Sequence, residues 1–154
     1  DGKPHGGKAI DYLNWLTDDV LPLVADNASI DRRAEQTVIV GASLGGLFAL
    51  TALIEKPEVF GNAIAMSPSL QWSNGAIVQR VEAFCSKPPP PSKPRLWVDL
   101  GGHESSREHI NQTLKHNFDT LTFLLKNQNS LDAKWWFDPE AKHNEAAWAS
   151  RLPM

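Results

Sequence analysis

The chain has 154 residues, of which 42% are hydrophobic and 21% charged, and a net charge of −3; this is enough for one domain with its own core. So small a negative charge gives no electrostatic basis for binding nucleic acid or an anionic membrane. A lone cysteine, Cys85, excludes an internal disulfide, and no apolar run is long enough to span a bilayer.

The opening, Asp1-Gly2-Lys3-Pro4, has no initiator Met and no signal peptide, and reads as the middle of something longer. In residues 8–25 the apolar side chains Ile10, Leu13, Leu16, Val20, Leu21 and Val24 recur at three and four, the spacing of an amphipathic helix. Pro22 cannot donate back to Asp18 and is expected to bend it. After a polar loop, the β-branched run of residues 37–40 reads as a buried strand that stops at Gly41. Leu47-Phe48-Ala49-Leu50-Thr51-Ala52-Leu53-Ile54 follows as a helix, closed by Lys56-Pro57. Residues 60–66 read as a second strand, with Ser67, Ser69 and Trp72 in the loop beyond it. A short helix is expected over 75–85, and Pro88 to Pro91 form a stiff surface spacer. Residues 95–100 read as a third strand, stopped by Gly101-Gly102. Ser105 and Glu108 read as a capping box for a helix with Ile110, Leu114, Phe118, Leu121 and Leu125 on one stripe. Residues 133–137 read as a fourth strand, 138–144 as a loop and 145–152 as a closing helix. This alternation predicts a single α/β domain over residues 1–154, with about four mostly parallel strands and helices on both faces.

Ser43 then stands on a tight strand-to-helix turn with Gly41 and Gly45 two residues to either side, the G-x-S-x-G nucleophile elbow. A Cβ at either glycine is expected to clash as the chain reverses. The sharp turn strains the serine backbone and lifts its hydroxyl above the sheet, where the next helix points its N-terminus and favours developing negative charge. A Gly-rich turn with an incidental Ser is the plainer reading; the strand before and the helix after favour the elbow.

A serine hydroxyl needs a base to take its proton, and the base, a histidine, needs a carboxylate to hold its tautomer. Such groups collect in loops beyond the C-terminal ends of parallel strands. His143, after the fourth strand, is the best placed of the five histidines; His5 lies in the lead-in, His109 and His116 within the long helix, and His103 on the wrong loop. For the acid, Glu104 after Gly101-Gly102 is favoured over Asp99, which lies within its strand, and over Asp138. The order Ser43, Glu104, His143 is the one α/β-hydrolases use. His109 and His116 have no obvious third ligand and read as solvated, so no metal site is expected.

Gly41-Ala42-Ser43-Leu44-Gly45-Gly46-Leu47, Pro57-Glu58-Val59-Phe60-Gly61, Met66-Ser67-Pro68-Ser69 and Trp72 resemble the putative-esterase family of α/β-hydrolases. That group includes enterochelin-esterase-like proteins, S-formylglutathione hydrolases, feruloyl and acetyl-xylan esterases, and mycolyltransferases. His143-Asn144-Glu145-Ala146-Ala147-Trp148 with Arg151-Leu152-Pro153 resembles the family's C-terminal segment, which implies His143 as base; the loop of Gly101, Gly102, His103 and Glu104 resembles its acid-bearing loop, which implies Glu104 as acid. The resemblance runs from about Ile10 to the end. Family members are longer at the front, so the chain reads as a truncated α/β-hydrolase.

The expected function is a serine carboxyl-ester hydrolase acting on a small-molecule ester through an acyl-enzyme, with no cofactor. Ser43 is the expected nucleophile, His143 the base, Glu104 the acid and Leu44 the donor of one oxyanion-hole N–H. The second donor normally comes from a loop on a strand not seen here; Pro4-His5-Gly6-Gly7 is only superficially like the His-Gly-Gly oxyanion sequence of lipases. Trp72 is a candidate for the substrate pocket or for simple loop packing. Two rivals share the scaffold: an acyltransferase, and a catalytically silent folding or interaction fragment. With no strand upstream, residues 37–40 become an open edge, which predicts a homodimer or higher oligomer.

Overall fold

The computed structural model describes residues 7–152, so all but Gly7 of the lead-in 4–7, including His5, lies outside the described residues. Four strands form one sheet in the order β1 (Val38–Ala42), β2 (Asn62–Met66), β3 (Arg95–His103) and β4 (Asp132–Lys142), all parallel. The helices are α1 (Ala9–Trp15), α2 (Leu21–Asn27), α3 (Leu44–Glu55), α4 (Ala76–Cys85), α5 (Glu108–Lys126) and α6 (Glu145–Arg151).

Helix α3, α4 and α5 each bridge two neighbouring parallel strands. Their Leu50, Leu53, Ile77, Val81, Leu114, Phe118 and Leu121 pack on Ala63, Ala65, Leu96, Val98 and Leu100 in one core. Alternation along the strands puts Val38, Val40, Ile64, Trp97, Asp99 and Trp136 on the opposite face. There Arg151 of α6 reaches Asp99, while Val38 and Val40 stay half exposed. No helix among the described residues is long and apolar enough to cross a membrane.

Four expectations need correction. The helix of residues 8–25 is two α segments joined by a π-helical stretch, Leu16–Val20. Leu21 N–H bonds back to Leu16 C=O, a five-residue step that widens the helix next to Pro22, which has no N–H to give. Of its apolar stripe only Leu13 is fully buried, against Ala52 and Phe60. Ser105 does not cap α5. The helix begins at Glu108, Ser105 Oγ accepts the Arg107 N–H, and the Asn111 side chain bridges the Ser105 N–H and C=O.

The third and fourth corrections belong together. Gly101-Gly102 does not stop β3, and residues 138–142 are strand rather than loop. A Cβ on Gly102 would lie 2.1 Å from Pro139 O, and one on Gly101 2.6 Å from Ala141 O. The glycines therefore let β4 approach β3, with a register irregularity between Gly101 and His103. Pro139 is tolerated because β4 is an edge strand among the described residues.

Candidate active site

Strand β1 runs on through Gly41 to Ala42, and the chain turns at Ser43 into α3. Ser43 has φ 59° and ψ −122°, a conformation costing a non-glycine residue on the order of 1–3 kcal/mol. Three backbone hydrogen bonds hold it there. Its N–H donates to Met66 C=O, and its C=O accepts from Leu47 N–H and Ser69 N–H. Of the flanking glycines, Gly41 is required by space, since a Cβ there would sit 2.2 Å from Gly45 O. Gly45 is not: its Cβ would meet nothing within 4 Å, because it points away from the strand at the first turn of α3. The second tight position is Gly46, whose Cβ would lie 2.9 Å from Met66 O.

The sequence-predicted residues converge on this turn. Ser43 Oγ is 2.9 Å from His143 Nε2, and His143 Nδ1 pairs with Glu104 Oε2. His143 follows the end of β4, and Glu104 the end of β3. The His143 side chain is 32% exposed and that of Glu104 only 1%, so the glutamate carboxylate is sealed beneath an accessible imidazole. Trp148 of α6 meets the His143 ring edge to face at 5.1 Å. Burial works to raise the Glu104 carboxyl, but hydrogen bonds from His143, the Ser67 hydroxyl and the Gly101 N–H outweigh it and hold the group below its usual range.

Leu44 opens α3, with no side chain capping the helix start; its N–H is one of the free donors there. Trp72, 43% exposed, lines a cavity of about 550 Å³ with Leu44, Tyr12, Phe48 and Ile77. His103, an exposed residue, is paired in register with Lys142 rather than facing Ser43, and His109 and His116 lie on α5. Asp138 and Glu140 lie on β4.

Asp99 is not in contact with His143. Its carboxylate accepts from the Trp97 indole and the Ser67 N–H and forms an ion pair with Arg151 Nη2 at 2.9 Å. Burial pushes this carboxyl up, while those three partners pull against it. Two groups were not picked out for any role at the site. Ser67 Oγ donates to Glu104 Oε1 at 2.6 Å, and Arg151 Nη2 donates to Ser67 Oγ at 2.8 Å. Residue type gave no signal for Arg151; its position close after His143, on the short helix that follows it, was the available clue.

A parallel sheet with a strained serine between strand and helix, and a histidine and glutamate beyond the two farther strands, defines an α/β-hydrolase-like protein. The chain belongs to the putative-esterase family: the model described as "Putative esterase" matches residues 1–154. It is 30% identical over 129 residues to the ferri-bacillibactin esterase BesA of Bacillus subtilis, covering 80% of this chain and 44% of BesA. With a siderophore enterobactin esterase of Emericella nidulans it shares 38% over 90 residues, 56% of this chain and 29% of that protein. Among solved structures, the siderophore hydrolase EstB of Aspergillus nidulans superposes with a TM-score of 0.77 at 24% identity, over 96% of this chain and 57% of EstB. The BES protein of Bacillus cereus gives 0.74 at 25% identity, over 97% and 55%. The chain thus spans about half or less of the length of these relatives.

Proposed function

We propose that the chain carries the reaction centre of a serine carboxyl-ester hydrolase. The observation that supports this most directly is the unbroken contact from Ser43 Oγ to His143 Nε2 and from His143 Nδ1 to Glu104. In this reading Ser43 attacks the ester carbonyl while His143 takes its proton. Glu104 holds the Nδ1–H tautomer and stabilises the imidazolium. The Leu44 N–H donates to the oxyanion. The alcohol leaves with the proton from His143, and a water activated by the same imidazole clears the acyl-enzyme. The names of the relatives make a siderophore ester the first natural substrate to try, with Trp72 and its cavity receiving part of it.

A fluorophosphonate probe tests this reading first. Only an activated serine reacts quickly, so Ser43 should label within minutes and the Ser43→Ala protein not at all. Labelling no faster than that of the heat-unfolded chain would discard the reading.

We propose further that a second copy covers the open edge. Strand β1 has a partner on one side only among the described residues. Val38 is 51% and Val40 50% exposed, and Tyr12 of α1 is 51% exposed. A β-branched edge with bare apolar neighbours invites pairing. Light scattering on the 154-residue chain should return a dimer or larger. A monodisperse monomer at tens of micromolar (roughly where weak interfaces form) would end this idea.

A further inference from the structure

Arg151 is 1% exposed as a residue, and its ion pair with Asp99 has both side chains at 0%. Among the described residues its Nε and Nη1 meet no acceptor. A buried cation with two idle donors is poorly compensated, and an apolar side chain of similar volume would often serve stability as well. What such a side chain could not do is control a hydrogen.

A guanidinium donates and never accepts. Arg151 Nη2 approaches Ser67 Oγ at 2.8 Å and so takes a lone pair of that oxygen. The single hydroxyl hydrogen of Ser67 must then point elsewhere, and Glu104 Oε1 at 2.6 Å is its acceptor. Oε1 also accepts the Gly101 N–H. With Oε1 receiving two donors, Glu104 is an ionised acceptor, and Oε2 is left to receive His143 Nδ1–H. That places the lone pair of Nε2 toward Ser43 Oγ. Two runs of donors thus meet at Glu104, from Arg151 through Ser67 on one side and from Ser43 through His143 on the other, and Arg151 sets the direction of the first.

Ser67 is itself held for this task. Its φ is +40°, an unfavourable value for a non-glycine residue. Its N–H is shared between the Asp99 carbonyl at 3.1 Å and the Asp99 carboxylate at 3.2 Å. Arg151 also ends α6, the helix that starts just after His143. The links therefore close a ring: His143 to Glu104, to Ser67, to Arg151, and back along α6 to His143.

We infer that Arg151 and Ser67, braced by Asp99, are positioning residues that fix the hydrogen-bond direction of the Glu104–His143 pair. The inference rests on the roles proposed above for Ser43, His143 and Glu104.

The test uses Ser67→Ala, the charge-balanced pair Arg151→Met with Asp99→Asn, and all three together. Turnover of a short-chain aryl ester and the downfield proton signal of the carboxylate-bound imidazole N–H are both measured. Ser67→Ala should lower kcat about tenfold, the size of one lost hydrogen bond to a charged group, with KM within about twofold. The downfield signal should move or broaden. The paired variant should lose a similar factor, and adding Ser67→Ala to it should cost little more, because the groups act as one unit. Unchanged kcat and signal in Ser67→Ala would overturn the inference, as would full additivity in the triple variant. A raised KM at unchanged kcat would make Ser67 a substrate contact and overturn it as well. If the unmutated chain turns over no ester and takes no fluorophosphonate, the esterase reading has failed. The N–H signal still reports whether Ser67 and Arg151 order the imidazole.

Discussion

If Ser43 and His143 have the roles proposed for them, Ser43→Ala and His143→Ala should each lower turnover of an aryl ester by on the order of 10⁴-fold or more, because a nucleophile and its base act as a unit. The motive is the 2.9 Å approach of Ser43 Oγ to His143 Nε2 on the exposed side of a sealed Glu104. Neither change should unfold the protein. Alanine at 43 keeps the unfavourable backbone and removes only the hydroxyl. Glycine there should go further: relief of the strain at φ 59° should exceed glycine's entropic cost and stabilise the fold by about 1 kcal/mol. An inactive but more heat-resistant Ser43→Gly protein would show stability given up for a presented hydroxyl. Activity within about tenfold of the unmutated chain in either alanine variant, contaminating esterases excluded, would remove the residue from its role.

The site was legible wherever its signal was local. A β-branched run, Gly41-Ala42-Ser43-Leu44-Gly45 and a helix-forming run are contiguous, so the turn at Ser43 could be read without tertiary knowledge. Glu104 and His143 were singled out as residues beyond strand ends, with the family resemblance beside that, and both do follow strand ends, although the Gly101-Gly102 break that favoured Glu104 is itself part of β3. The losses are where meaning depends on a distant partner. Residues 138–142 carry Asp, Pro and Glu, which look like loop chemistry, and only the close approach of Gly101 and Gly102 makes them a strand. Gly45 was credited with a steric role that Gly46 plays, because the G-x-S-x-G pattern does not tell which glycine faces Met66. Arg151 looks like a surface residue until the fold sets it beside Asp99, on a strand far back in the chain. The helix before the first strand lost its regularity, since the stretch before Pro22 is widened into a π-helix.

Gly41→Ala should be severely damaging to the turn that carries Ser43. Its Cβ would lie 2.2 Å from Gly45 O, 2.3 Å from Gly45 C and 2.9 Å from Gly46 N. All three are backbone atoms, so no rotamer change relieves the contact. Either β1 must shift in its pairing with Ala65 of β2, or the first turn of α3 must swing out. Both routes break part of the hydrogen-bonding that holds Ser43 against Met66 and Ser69. The expected cost is about 3 kcal/mol or more, at the upper end for point substitutions. The fraction that still folds should lose on the order of 10²-fold in activity, since Ser43 Oγ no longer meets His143 at its present distance. Gly45→Ala is the matched control. It adds the same methyl four residues further on, into open space at the start of a helix. It should leave the site in place and stabilise α3 by roughly 0.5–1 kcal/mol, alanine being the better helix former. Urea melts of the two variants decide the matter: if Gly41→Ala is no less stable than Gly45→Ala, the elbow is not built on contact between β1 and the start of α3.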